Sequence, residues 1–123
     1  MWIKYNPSPV GASVGDCVVR AVAKALDVDW ETAYAKLAIA GFNMGNLPSA
    51  NVVWGAVLRQ QGMKRYNIPN TCPDCYTIKD FCEEHPEGIY VLGTGTHAVT
   101  VVDGNYWDAW DSGNEIPVYY WGF

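Results

Sequence analysis

The sequence predicts an α+β domain, with N-terminal helices packed on a C-terminal antiparallel sheet. Three observations predict it. Apolar residues between 17 and 60 recur at helical spacing. After Gly88 the period changes to two. An Asp-Gly pair at 103–104 then joins two of the alternating runs. Helices first and strands last is the order of an α+β fold. The 123 residues, half of them hydrophobic, suit a single domain spanning 1–123 with a sizeable core.

Taken in order, residues 1–14 read as irregular, because Pro7, Pro9, Gly11 and Ser13 favour turns. A first helix runs from Cys17 to about Leu26, with Asp16 as its N-cap. A second starts after Asp29, and Trp30, Ala33, Tyr34, Leu37 and Ala38 form its buried face. The stretch AGFNMGNLPS reads as a loop. A third helix follows Ser49, carries Val53, Trp54, Val57 and Leu58 inward, and ends at Gly62. KRYNIP suggests a short strand and NTCPDC a loop. A short helix starts near Thr77 and is closed by Pro86 and Gly88. IYVLG, HAVTVV, NYWDAW and VYYW complete the chain as four strands.

Composition excludes several functions. Six Trp and eight Tyr argue against a disordered or fibrous chain. A net charge of −5 argues against a nucleic-acid partner, which would need clustered Lys and Arg. It also weakly disfavours acidic substrates. The longest apolar runs, such as AVTVV, are too short to span a bilayer, and MWIKYNPSP lacks the apolar core of a signal peptide. The expected location is therefore a reducing cytoplasm, without membrane association. Four cysteines there point to catalysis, metal binding or core packing before disulfides.

The chemistry is expected where the two ends of the chain meet. If Asp103 and Gly104 form a two-residue hairpin turn, Val102 pairs with Asn105, His97 faces Trp110, and Asp108 faces Val99. His97 and Asp108 are then diagonal neighbours on one face, roughly 7–8 Å apart at Cα, within reach of an imidazole–carboxylate contact. A three-residue turn would flip the parity and offer Asp111 instead. Such a pair suits a general base oriented by a carboxylate. Cys17 is the matching nucleophile, because the free N–H groups and dipole of a helix start favour a thiolate and can hold an oxyanion. Asp16 beside it acts the other way and raises the thiol pKa. The plainer alternatives are a buried core thiol at Cys17 and an ordinary strand histidine at His97.

GDCVVRA, GTHAVTVV and DAW give the order Cys at a helix start, His opening a strand, and Asp-x-Trp on the next strand. In this the chain resembles the papain-like cysteine peptidases. It is most similar to compact bacterial and phage relatives, including the peptidase domains of bacteriocin exporters, in which an Asp is the third member. The resemblance implies a papain-like fold and a peptide or protein substrate, with Cys17 as nucleophile, His97 as base and Asp108 as orienting residue. The family's oxyanion Gln, six residues before the Cys, is Gly11 here. Asn6 or Ser13 is the candidate replacement. Trp107 and Trp110, with Tyr106, are candidate walls of the cleft, or core. No cofactor is implied. The rival from another class is a non-catalytic interaction or structural protein on the same fold, perhaps of phage origin. Oligomeric state is not legible.

CPDC raises a separate possibility. Cys72, Cys75, Cys82 and His85 spell C-x2-C-x6-C-x2-H, four ligand types that a structural zinc accepts. Against this, the halves are close together, and Ile78, Phe81 and Cys82 share an apolar helix face. The alternative is a turn carrying two reduced thiols, with Cys82 packed inward and His85 at a helix end.

Overall fold

The computed structural model describes residues 1–12 and 15–123. Among these the chain forms β1 (Trp2–Lys4), α1 (Cys17–Leu26), α2 (Trp30–Met44), α3 (Asn51–Gln60), β2 (Lys64–Asn67), α4 (Ile78–Glu84), β3 (Ile89–Gly93), β4 (Ala98–Val102), β5 (Asn105–Asp108) and β6 (Tyr119–Gly122). The strands make one sheet in the order β1-β5-β4-β3-β6-β2. All pairings are antiparallel except β1 with β5, which is parallel with Trp2 opposite Tyr106 and Lys4 opposite Asp108. The architecture is α+β.

α1 is the central helix. Its Val18, Val19, Ala21, Val22, Ala23 and Ala25 are all buried, and they join Ala33, Leu37, Trp54 and Leu58 from α2 and α3 against Val91, Ala98, Tyr119 and Trp121 of the sheet. Fully burying one Val or Leu contributes about 1.5–3 kcal/mol, so this cluster dominates the stability. Thr100 of β4 ties the helix to the sheet by donating its hydroxyl to the Ala21 carbonyl at 2.6 Å. The opposite face of the sheet is covered by α4, whose Ile78, Phe81 and Cys82 pack on Leu92, Val99, Val101 and Tyr106.

Several elements differ from expectation. Residues 2–4, read as irregular, form β1; the parallel partner that stabilises them lies at the far end of the sequence. α2 runs on to Met44 rather than giving way to a loop at Ala40, because Gly41 continues the buried row of Ala33 and Leu37 for another turn. Tyr34 is exposed rather than core, and stacks on Trp30 at 5.3 Å. Asp29 caps α2 as expected, accepting from the Thr32 N–H at 2.7 Å. α4 begins with a reciprocal capping box between Thr77 and Asp80. The hairpin turn has positive φ at both Asp103 (49°) and Gly104 (77°), and Val102 pairs with Asn105. β5 stops at Asp108, so Ala109 and Trp110 leave the sheet. Cys72 and Cys75 are joined in a disulfide, Cα to Cα 4.1 Å, not left as two thiols. Among the described residues no helix is long and apolar enough to cross a membrane.

Candidate active site

The site forms where α1 and β4 begin and β5 ends. Cys17 is half-buried at the first position of α1, where the leading N–H groups have no carbonyl in their own helix to meet. Asp16, just before it, does not cap the helix with its side chain. Its carboxylate turns to Arg20 Nη1, which donates at 2.7 Å, and to the indole N–H of Trp30 at 3.1 Å. His97 stands one residue before β4 in a tight loop, its N–H donating to Thr94 Oγ1 at 3.0 Å and its carbonyl accepting from the Thr94 N–H at 2.9 Å. Its Nε2 lies 2.6 Å from Asp108 Oδ2.

Asp108 is wholly buried and saturated with donors. Oδ2 also accepts from Ser112 Oγ at 2.6 Å, and Oδ1 accepts from Arg20 Nε at 3.1 Å and the Ala109 N–H at 2.8 Å. Arg20 Nη2 lies 3.0 Å from the same Oδ1 but off the direction a hydrogen bond needs, so it contributes charge only. Arg20, 1 % exposed, thus sits between two carboxylates.

These contacts set the protonation states. Burial pushes the Cys17 thiol up, but hydrogen bonds from His97 and at the Ala98 backbone, with the charges of His97 and Arg20, bring it below its ordinary value. Burial disfavours the His97 cation, yet its bonds to Asp108 and Cys17 raise it to about 9. Burial also opposes ionisation of Asp108, and His97, Ser112 and Arg20 outweigh it and hold the carboxyl low. The balance shifts the pair toward thiolate and imidazolium. With Nε2 committed to Asp108, Nδ1 is the ring nitrogen left for the sulfur.

Cys17 and His97 open on a cleft of about 400 Å³ whose other walls include Gly15, Asn51, Trp54, Thr96 and Trp110. The Trp110 ring lies 4.8 Å from that of His97. Asn51 Oδ1 accepts from the Trp54 indole at 3.0 Å, which fixes the amide orientation and leaves Nδ2 as a donor. Comparison of the chain with protein-family models, with curated proteins and with solved structures gives no match.

Other candidate residues are placed elsewhere. Asn6 is exposed and spent on its own loop, accepting from the Ser8 N–H at 3.3 Å and donating to the Gly11 carbonyl at 3.4 Å. Ser13 lies outside the described residues. Trp107 is not a cleft wall. It packs under Lys24, whose Nζ is 3.5 Å from the ring centre, with the edge of Tyr5 against it. Tyr106 is buried and donates its hydroxyl to Asp111. Asp111 is taken up by that bond and by the Gly113 N–H, so it is not the partner of His97. The zinc set is not brought together. Cys72 and Cys75 are in the disulfide; Cys82 is buried with its thiol raised by burial to about 11. His85 meets the Phe81 carbonyl through Nδ1 at 2.9 Å. Among the described residues no group of three His, Cys, Asp or Glu converges as a metal site would require.

Sequence reasoning missed Arg20, Ser112 and Asn51. Arg20 carried a signal: an arginine amid VVRAVA must be paired if that helix is buried. Ser112 and Asn51 carried no such signal.

Proposed function

We propose that the chain is a papain-like cysteine hydrolase, a peptidase or amidase. The observation that carries this is the single line from the Cys17 thiol to the His97 imidazole to the buried Asp108 carboxylate, at the mouth of a cleft. The Cys17 thiolate attacks a carbonyl carbon and forms the C–S bond. The tetrahedral oxyanion meets the free N–H groups at the start of α1 and the Nδ2 donor of Asn51. The His97 imidazolium gives its proton to the departing amine as the C–N bond breaks. Water then loses a proton to His97 and attacks the thioester, which releases the acid and restores the thiolate. Asp108 keeps Nε2 protonated throughout and holds the ring. An acyl transferase would use the same groups with a second nucleophile in place of water. No cofactor takes part in these steps.

The test is alkylation and turnover. Cys17 should react with iodoacetamide near neutral pH well ahead of a small free thiol, and Cys17→Ala should abolish both labelling at this site and hydrolysis of a peptide library while leaving the circular dichroism unchanged. Turnover that survives Cys17→Ala overturns the assignment. A non-catalytic binding protein on this scaffold is the second reading. It is favoured by Gly11, which offers no side chain where the resemblance calls for an oxyanion Gln, and it expects an unreactive Cys17.

A further inference from the structure

A second groove adjoins the cleft. It holds about 390 Å³ on the helix side of the sheet, between the start of α3 and the β2–β6 edge, and is walled by Val52, Gly55, Arg59, Arg65, Tyr119 and Trp121. Asn51 lines both hollows, so they meet at that residue. Gly55 lets the Trp121 ring close on α3 at the floor of the groove. A Cβ there would stand 2.8 Å from Trp121 Cζ2.

The charge of this groove is opposite to that of the molecule. The chain carries 13 acidic residues against eight Lys and Arg, yet two arginines and no Asp or Glu line this hollow. Arg65 lies opposite Trp121 in the β2–β6 register, so it projects to the same face. Its Cζ is 4.2 Å from the Tyr119 ring centre, and that of Arg59 is 5.2 Å from Trp121. Among the described residues neither forms an ion pair; Arg65 Nη1 donates only to Asn67 Oδ1, at 2.7 Å. A guanidinium laid on an aromatic face keeps its N–H edge outward, the arrangement suited to a planar carboxylate.

We propose that this groove is a specificity subsite of the cleft that binds an acidic side chain, Asp or Glu, of a peptide substrate, with Arg59 and Arg65 as its anion-recognising pair. The peptide lies across Asn51, its scissile carbonyl at Cys17 and its carboxylate between the two guanidiniums. The exposed apolar side chains of Met44 and Val52 border the groove and would cover the stem of the acidic residue. This rests on the hydrolase reading for the peptide's position, but the binding of the acidic residue is measurable without it.

Two arms separate the two ideas. In the first, peptidyl acyloxymethyl ketones that differ only in Asp against Asn, or Glu against Gln, at each position label wild-type Cys17. The acidic member should react about two- to fivefold faster at one position, the size an accessible carboxylate–guanidinium pair supports. The preference should fall with added salt, vanish in Arg59→Gln/Arg65→Gln, persist in Arg59→Lys/Arg65→Lys, and reverse in Arg59→Glu/Arg65→Glu. Iodoacetamide labelling should be the same in all four proteins. In the second arm, fluorescent Asp- and Asn-containing peptides are titrated into Cys17→Ala by anisotropy, with and without the arginine substitutions. Slow iodoacetamide labelling of wild type sinks the hydrolase reading and leaves the binding arm to judge the subsite. Equal binding or labelling of acidic and amide peptides, or a preference that outlasts Arg59→Gln/Arg65→Gln, overturns the subsite.

Discussion

At the scale of single residues, the decisive group is Arg20. A carboxylate next to Cys17 should keep its thiol protonated, and Asp16 is that carboxylate. The fold answers with a buried guanidinium that binds Asp16 at 2.7 Å and reaches Asp108 with Nε at 3.1 Å. One cation therefore offsets the charge beside Cys17 and fixes the carboxylate that holds the His97 ring. Replacing it with Met leaves two buried carboxylates short of a partner. Urea denaturation of Arg20→Met should show a loss of about 3–5 kcal/mol, and the pH at which Cys17 alkylation reaches half its maximum should rise. The protonation states also fix the pH profile. The Cys17 pKa is lowered, so thiolate accumulates as pH rises through it. The His97 pKa is raised to about 9, so the proton needed by the leaving amine is lost as pH rises past that value. kcat/KM for a peptide substrate should rise through the lowered thiol pKa and fall as pH passes about 9. Both limbs belong to the coupled pair rather than to either residue alone. Arg20 also shows how far residue-level reading goes. Its presence in an apolar helix was visible, but which carboxylates would pair with it depended on contacts far away in sequence.

At the scale of elements, the β4–β5 hairpin carries the site, and it was the most legible part of the chain. Asp103-Gly104 in the left-handed region sets the register by local chemistry alone, and the register brings His97 and Asp108 to the same end of the sheet. Strict alternation would have placed both on the face of Val99, Val101 and Tyr106, under α4. They meet instead just beyond the last β4–β5 pair, Thr100 with Trp107, where the pairing of the two strands ends and Asp108 reaches α1. Parity predicted the neighbours but not the side. Gly104 has φ 77°, and an added Cβ would lie 3.3 Å from the Cys82 carbonyl. Gly104→Ala should cost about 1–2 kcal/mol, read as a lower thermal midpoint, and should slow Cys17 alkylation by loosening the His97–Asp108 contact. β1 marks the limit of such reading. Its three residues have no pattern of their own, and their strand character comes from a parallel partner more than a hundred residues away.

For the whole molecule, burial is divided between two clusters. Three helices cover one face of the sheet, and α4 covers the other. The α+β class followed from the change of period along the chain; the layering of helices on both faces did not, because periodicity says which side of a helix is buried and not what lies against it. The Cys72–Cys75 disulfide lies on a loop between β2 and α4, and neither cysteine lines the cleft. It closes so few residues that its entropic contribution is at most about 2 kcal/mol. Dithiothreitol, or Cys72→Ser/Cys75→Ser, should lower the denaturation midpoint slightly and leave hydrolysis by Cys17 intact.

Cys17, the proposed nucleophile, belongs to the first helix, and His97 and Asp108, the groups proposed to activate it, come from the hairpin near the other terminus. During synthesis the sulfur therefore leaves the ribosome long before its activators are made, and throughout that interval it is an ordinary thiol. Reactivity arrives only when the two ends of the chain close on each other. On the proposed reading, an unfinished or unfolded copy lacks the imidazole and the carboxylate that would activate Cys17.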